Sequence, residues 1–209
     1  MISMFYKEIA KTSIQAGDVL LCYSSDLADK SQEGIIEHGY SHAAICLNSA
    51  DVLEATKPVV RKTTIDQLFD DGYQHIAVMR SEWSQESVQK LLNFANLVAG
   101  LKFNEIGIAR CVKRKDEKNS DITFQKVIDI MNGAEPESPL KNTYFCSELV
   151  VAAFLYKGVA SKEATPLFKP NTFSPEGIAI DKAFGFFHGY ILPYNGYIVP
   201  DNDYFRTSI

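Results

Sequence analysis

A single cysteine lies where an aromatic, strand-like segment changes into a helical pattern. The segment 142–150 reads NTYFCSELV, and Cys146, Leu149, Val150 and Ala153 recur at helical spacing. This spacing predicts that the thiol lies in the first turn of a helix, on its inward face. The N–H groups of a first turn have no intrahelical partner and carry partial positive charge, which favours a reactive thiolate. Cys146 is therefore our candidate nucleophile, and such a thiolate needs a base.

His42 is the best placed of the four histidines to act as that base. It begins an apolar strand-like run and stays close to polar loop residues, so the imidazole would be held firmly and still reach a nucleophile. His38 would share a helix face with His42 only if the segment between them were helical, which its glycine disfavours, so no two-histidine metal site is expected. His75 and His188 are expected to be core or surface histidines. Taken alone, His42 would also be structural more often than catalytic.

Glu54 is the candidate partner that would orient the imidazole. It interrupts the apolar run 52–56, VLEAT, and a carboxylate there is either exposed or paired, because burying an unpaired charge is costly. In a hairpin, a two-residue turn would direct His42 and Glu54 to opposite faces, whereas an odd loop or a bulge would align them. A solvent-facing strand glutamate is the alternative. Glu148 is a rival carboxylate, but two helical positions from Cys146 it points away from the sulfur.

Composition restricts the classes of function. The chain has 209 residues and a net charge of -5, which suits a soluble globule and gives no general attraction for nucleic acid or anionic membranes. The N-terminus lacks the basic and apolar stretches of a signal peptide, and no run reaches membrane-spanning length. We therefore expect a cytoplasmic protein that has no transmembrane segment and does not bind nucleic acid.

The other three cysteines are not expected to do chemistry. Cys22 and Cys46 lie inside apolar runs, where a free cysteine usually acts as a small hydrophobic residue, and Cys111 borders a charged stretch. The four cysteines form no Cys-x-x-Cys pair and no cluster of zinc-site spacing, so neither a metal nor another cofactor is expected.

The strands that must position these side chains are predicted from apolar runs between turn signals. A Gly-Asp turn opens a largely buried strand at 17–23, and further strands are predicted at 42–47, 52–56 and 75–80. The second and third strands flank the turn-like sequence NSAD at 48–51, which predicts that they form a hairpin.

Helices are predicted where a capping residue precedes an apolar stripe. The predicted helices are a short one capped by Thr63 or Thr64 and running through Phe69, one that follows Ser84 and ends at a left-handed Gly100, one at 122–131, the cysteine helix, and one that begins at Ser174-Pro175.

The C-terminal tail is rich in aromatic residues. The runs 190–192 and 197–199 flank the sequence PYNG, and Asn-Gly is a strong hairpin turn, so the two runs are predicted to pair. The charged run 113–118 is expected to be a solvated loop, and 133–139 a loop that leads to the cysteine. With no repeat or linker, we expect one domain over residues 1–209.

Taken in this order, the segments resemble the circularly permuted papain-like hydrolases of the NlpC superfamily, in particular the YiiX/YaeF-like branch. In unpermuted relatives the cysteine helix comes first, whereas here it follows the histidine strand. Two further segments resemble family elements with departures, because GLKFN has Phe in place of the usual tyrosine and FSPEGI stands where a Thr-Pro-Asp element is usual. The matching segments are GDVL at 17–20, SHAAI at 41–45, VLEA at 52–55, GLKFN at 100–104, YFCSELV at 144–150 and FSPEGI at 173–178.

The resemblance implies an α+β, permuted papain-like (NlpC-type) fold in which a central antiparallel sheet packs against helices. It implies Cys146 as nucleophile, His42 as general base and Glu54 as the residue that orients the imidazole. The backbone N–H of Cys146 is placed to stabilise an oxyanion, and Tyr23 and Tyr144 are further candidates for oxyanion or substrate contacts.

Three functions are compatible with this reading. The first is a thiol hydrolase that cleaves an amide bond in a peptide, such as a cell-wall fragment, or in an N-acyl amino compound. The second is lipid acyl transfer or ester hydrolysis of the lecithin retinol acyltransferase-like type, with the aromatic tail lining an acyl pocket. The third is a non-catalytic binding module, which the intact set of Cys, His and Glu disfavours.

Overall fold

A computed structural model describes residues 6–25, 39–107, 126, 128–135, 138–158, 165 and 168–207 of the chain. It confirms a mixed α+β architecture in which an antiparallel sheet packs against helices. The described strands are β1 (Val19–Tyr23), β2 (Tyr40–Cys46), β3 (Asp51–Ala55), β4 (Val60–Thr64), β5 (His75–Arg80), β6 (Lys102–Phe103), β7 (Thr143–Tyr144) and β8 (Phe186–Ile191). The described helices are α1 (Ile65–Asp70), α2 (Gln85–Val98), α3 (Cys146–Lys157), α4 (Pro175–Ile180) and α5 (Tyr204–Thr207), with 3₁₀ turns at Lys11–Ser13, Pro170–Thr172 and Lys182–Phe184.

The main sheet has six antiparallel strands in the order β4-β3-β2-β1-β5-β8, and β6 and β7 form a small parallel sheet. The four strands predicted from the sequence are confirmed, and the predicted hairpin is the pair β2–β3. The central strands are buried on both faces, because both alternating sets of their side chains are apolar. The larger core joins one face to α2 and α3, and the smaller core joins the other face to α1.

Capping residues begin the helices at the predicted positions. The side chains of Thr64, Ser84 and Ser174 each accept a hydrogen bond from a backbone N–H in the first turn of α1, α2 and α4. Gly100 follows α2 with a φ of 85°, as predicted for the left-handed end of that helix. In the segment 122–131, the described residues Lys126 and 128–131 are helical.

The Gly-Asp turn before β1 fits closely against two distant side chains. Gly17 has a φ of 89°, and a Cβ atom at this residue would lie 2.3 Å from the Trp83 ring. The buried Asp18 accepts two hydrogen bonds from Arg80, at 2.8 and 2.6 Å, and one from the Gln15 N–H. The backbone conformation at residue 17 therefore requires glycine, and the hydrogen bonds at residue 18 require the Asp carboxylate, at the start of β1.

The predicted C-terminal hairpin is wrong. Residues 190–191 belong to β8, but 197–199 form no strand, although a turn does precede them. β8 pairs with β5 on one side, and on the other side Tyr190 exchanges backbone hydrogen bonds with Lys7 and Ile9, at 2.7 and 2.8 Å. The N-terminal segment thus occupies the edge that a hairpin partner would need.

The tail instead docks on the sheet through a buried polar cluster. Nε2 of His75 lies 3.0 Å from Oδ2 of Asp203, and Nδ1 lies 3.1 Å from the Tyr197 hydroxyl. The hydroxyls of Tyr40 and Tyr190 also donate to the Asp203 carboxylate. His75 and Asp203 are completely buried, so His75 is a core histidine, as the sequence predicts.

Some sequence predictions fall on residues that the structure does not describe. His38, Cys111 and the charged run 113–118 lie outside the described residues. Within the described part of the chain, no helix has both the length and the apolar character needed to cross a membrane.

The close fit at Gly17 makes a testable prediction. Gly17→Ala introduces an L side chain at a positive φ and also displaces the Trp83 ring, so we expect it to lower the free energy of unfolding by about 3 kcal/mol. The matched control is Gly100→Ala, which has a similar φ of 85° but no atom within 4 Å of the added Cβ, and should cost about 1 kcal/mol. Urea denaturation measures both values, and equal losses would show that the Trp83 contact has no weight.

Candidate active site

The register of β2 and β3 brings His42 and Glu54 to the same face of the sheet. Ala44 pairs with Glu54 and Cys46 pairs with Val52, so an odd number of residues, 47–51, lies between the last paired residues. His42 is two residues from Ala44 and therefore shares the face of Glu54, because side chains alternate along a strand. Nε2 of His42 and Oε2 of Glu54 are 2.7 Å apart.

Cys146 reaches the imidazole from the first turn of α3. The helix packs against β2 and β3, and β2 extends beyond its pairing with β3, which ends at Ala44. At this point the Ala43 N–H donates a hydrogen bond to the Cys146 sulfur, and the Ser147 N–H and the His42 imidazole also hydrogen-bond to it. Because Nε2 of His42 faces Glu54, Nδ1 is the ring nitrogen that remains for the thiol.

The small parallel sheet fixes the start of α3 relative to the β3–β4 pair. β7 leads directly into the helix, and its Tyr144 carbonyl accepts a hydrogen bond from the Asn104 N–H at 2.9 Å. The strand next to it, β6, continues from Leu101, whose carbonyl accepts from the Val60 N–H of β4 at 2.8 Å. The backbone therefore connects the strand beside Glu54 to the helix that carries the thiol.

Glu148 stabilises the start of α3 and does not replace Glu54. Its carboxylate accepts hydrogen bonds from the Phe145 N–H at 3.3 Å, the Asn104 amide at 3.2 Å and the Lys141 ammonium at 2.6 Å. An acidic residue in the first turn is favourable to a helix, and these three donors occupy it. The sequence prediction that Glu148 points away from the sulfur agrees with these contacts.

Cys146, His42 and Glu54 shift one another's pKa values in the directions that favour the charged form of each group. Burial alone would lower the pKa of His42, but hydrogen bonds and charge from Cys146 and Glu54 outweigh burial and raise it. Burial alone would raise the pKa of Cys146, yet the hydrogen bond and charge of His42 and the N–H donors of Ala43 and Ser147 lower it. The pKa of Glu54 is lowered in the same way, against the effect of burial, by His42 and Arg61. The arrangement favours a thiolate–imidazolium pair beside an ionised carboxylate.

Arg61 binds the second oxygen of the Glu54 carboxylate and was not predicted from the sequence. It is the register partner of Glu54 on β4, and its Nε donates to Oε1 of Glu54 at 2.8 Å. Nη2 of Arg61 also donates to Asp71, which follows α1. The sequence VRKTT of β4 has one buried residue, Val60, so its pattern did not predict a strand and the pairing was not foreseen.

Tyr73 and Cys22 complete the surroundings of the imidazole. The Tyr73 ring stacks on that of His42, with centroids 5.3 Å apart and planes 11° apart. Cys22 is the register partner of His42 on β1, and both Cys22 and Cys46 are fully buried. Burial raises the pKa of these two thiols well above 9.0, so they remain protonated, as expected of small core residues.

Tyr23 and Tyr144, the further candidates for oxyanion or substrate contacts, lie in the core and contact other groups. Tyr23 packs in the core on the opposite face from His42, since its neighbour Cys22 pairs with His42, and its ring stacks on His75 with centroids 4.4 Å apart. The buried Tyr144 hydroxyl donates to the Pro139 carbonyl at 2.9 Å and accepts from the Lys141 N–H at 2.7 Å. Tyr144 thus holds the loop before the cysteine and is not free to bind an oxyanion.

Comparison with known proteins does not assign this site, because no protein-family model matches the chain and no curated protein has a significantly similar sequence. Among the residues that the structure describes, no group of three or more His, Cys, Asp or Glu side chains is arranged to hold a metal ion. The chemistry that the described site offers is that of a thiolate with an adjacent, oriented acid–base group.

The opposite pKa shifts predict selective alkylation. At pH 7 and low iodoacetamide concentration, we expect Cys146 to be labelled more than about tenfold faster than Cys22 or Cys46, as quantified by peptide mass spectrometry. Its labelling rate should fall as the pH drops through the lowered pKa of its thiol. His42→Ala should remove the selectivity because it removes the imidazolium. Equal labelling of the three cysteines in the native protein would contradict the assignment of Cys146.

The stacked ring above His42 gives a second prediction for the site. Tyr73→Ala removes the ring that stacks on the imidazole and restricts its orientation. We expect Cys146 alkylation to slow by about threefold to tenfold. Tyr73→Phe keeps the ring and loses only the hydroxyl, so its rate should stay close to that of the native protein. A slow Tyr73→Phe variant would instead assign the effect to the hydroxyl group.

Proposed function

We propose that this protein is a cysteine hydrolase that cleaves an amide bond, with Cys146 as nucleophile, His42 as general acid–base and Glu54 as the residue that orients the imidazole. The observation that carries the proposal is the buried Glu54 carboxylate 2.7 Å from Nε2 of His42, with Cys146 at the start of α3 close enough to the same imidazole for each to shift the pKa of the other. A thiol of lowered pKa at a helix N-terminus, beside an imidazole of raised pKa, is the arrangement that nucleophilic thiol catalysis requires.

The reaction proceeds in two acyl-transfer steps. The Cys146 thiolate attacks the carbonyl carbon, and the carbonyl electron pair moves onto oxygen, near the backbone N–H of Cys146 at the start of α3. When the carbon–nitrogen bond breaks, His42 gives its Nδ1 proton to the leaving amine, leaving a thioester on Cys146. Neutral His42 then takes a proton from water, the hydroxide oxygen displaces the thiolate, and the carboxylic acid leaves. Glu54 stabilises the imidazolium at each protonated stage.

We also propose that the fold is a circularly permuted papain-like fold. The support is the chain order of the described elements: the Gly-Asp strand β1, the histidine strand β2, the carboxylate strand β3 and only then the cysteine helix α3. The substrates proposed are peptides, including cell-wall fragments, and N-acyl amino compounds. The lipid alternative requires the aromatic tail to line an acyl pocket. The aromatic residues of the tail instead pack inside the protein, because Tyr190 and Phe205 lie in the core and the Tyr197 hydroxyl bonds to His75.

A panel of acyl-peptides, N-acyl amino compounds and phospholipid esters tests this function. We expect amine release from the amides and an acyl adduct on Cys146 by intact-mass and peptide analysis. Cys146→Ala should abolish both, and Glu54→Gln should lower the turnover of amides by at least about tenfold, because the imidazolium loses its counter-ion. Cys46→Ala, which removes another buried thiol, is the matched control and should react normally.

The outcomes of the panel separate the three classes of function. An adduct formed only with phospholipid esters would replace the amidase assignment by lipid acyl transfer. The absence of an adduct with every substrate, despite fast alkylation of Cys146, would favour a binding module.

A further inference from the structure

We propose that Arg61 is a positioning residue that holds the Glu54 carboxylate and supplies the charge that lets His42 release its proton to the leaving group. This inference rests on the proposed function. Arg61 lies directly opposite Glu54 in the β3–β4 ladder, and its Nε bonds to the carboxylate oxygen that His42 does not use.

The carboxylate is bound at both oxygens along one line of side chains. Oε2 of Glu54 is 2.7 Å from Nε2 of His42, and Oε1 is 2.8 Å from Nε of Arg61. Asp71 receives a hydrogen bond from Nη2 of Arg61 and another from the Gln67 amide at 2.9 Å. Since Glu54 is 1% exposed and Arg61 is 37% exposed, the line runs from the buried pair to the surface.

The reaction makes the charge on Arg61 necessary at one particular stage. While His42 is an imidazolium, the buried Glu54 has a cationic partner. Once the proton has gone to the leaving amine, Glu54 would face only a neutral ring, and a buried carboxylate without a cation is strongly unfavourable. A guanidinium stays charged throughout the pH range of catalysis, so Arg61 lowers the cost of the stage in which His42 is neutral.

The turn after α1 holds this arrangement from outside. Asp71 binds Arg61 and Tyr73 stacks on His42, and Gly72 between them has a φ of 98°, so two residues of one turn contact the line from the base to the surface. Among the described residues, the charged and titratable groups around His42 and Glu54 are Cys22 from β1, Arg61 from β4, Asp71 and Tyr73 from this turn, and Cys146 from α3.

Arg61→Met tests the inference with two readouts. Amide turnover should fall by about tenfold, because the amine needs the His42 proton, whereas hydrolysis of an activated ester should fall less than about threefold, because its leaving group needs none. In a pH series of Cys146 alkylation at low salt, the inflection at which His42 loses its proton should rise by about 1 pH unit, because a neighbouring positive charge has been removed.

Three further variants make the outcome specific. Arg61→Lys keeps the charge without the paired donors and should restore most of the pH profile. Asp71→Asn removes a negative charge beyond Arg61 and should move the inflection in the opposite direction. Lys62→Gln removes a positive charge from the adjacent position of β4, where Nζ donates to Asn96, and should behave like the native protein.

Two results would overturn the role of Arg61. One is an equal loss of amide and ester hydrolysis in Arg61→Met with no movement of the inflection, which would indicate only a structural contact. The other is identical behaviour of Arg61→Met and Lys62→Gln. The alkylation series needs no substrate, so it decides the role of Arg61 even if no amide is hydrolysed, and failure of the native protein on every substrate would count against the proposed function alone.

Discussion

A carboxylate buried within a β-sheet must be neutralised, and this constraint governs the site. Glu54 is 1% exposed, and its two oxygens are bound by a histidine from the strand on one side and an arginine from the strand on the other. The pairing works only if β2, β3 and β4 keep one register, because a slip by one residue would turn a partner to the opposite face. The three strands are thereby held in one register, and Nδ1 is the imidazole nitrogen that Glu54 leaves for the thiol of α3.

The same sheet contains a second buried histidine–carboxylate pair, and the contrast shows what makes the first one a candidate site. His75 and Asp203 are as buried as His42 and Glu54, but the Asp203 oxygens accept from tyrosine hydroxyls and the Phe205 N–H, and the second nitrogen of His75 faces the Tyr197 hydroxyl. These contacts join the tail, through Tyr197 and Asp203, to Tyr40, His75 and Tyr190 of the sheet. The His75–Asp203 pair therefore holds the tail on the sheet, whereas the His42–Glu54 pair is a candidate site because a thiol lies beside its imidazole.

Sequence reasoning succeeded where a local pattern determines structure. The strands β1, β2, β3 and β5 and the caps at Thr64, Ser84 and Ser174 follow from apolar runs and first-turn hydrogen bonds, which depend on neighbouring residues. Sequence reasoning failed where segments that are distant in the chain compete for the same strand edge. The Asn-Gly turn forms, but the residues after it lose the edge of β8 to the N-terminal segment, and Arg61 was missed because β4 is a half-exposed edge strand without an apolar pattern. Strand alternation places Tyr23 on the face opposite His42, which the candidate role alone did not predict.

The separation along the chain between the base and the nucleophile has a consequence for folding order. His42 and Glu54 are 12 residues apart, and Arg61 is 7 residues from Glu54, so consecutive hairpins bring the three together through local contacts. Contacts between near neighbours form with little loss of chain entropy, whereas docking of α3 closes a much longer loop. The order of the segments in the sequence thus favours formation of the His42–Glu54–Arg61 cluster before Cys146 packs against it. A chain emerging during synthesis carries no reactive sulfur beside an imidazole until α3 has packed, and so the nucleophile is activated only in a nearly finished fold.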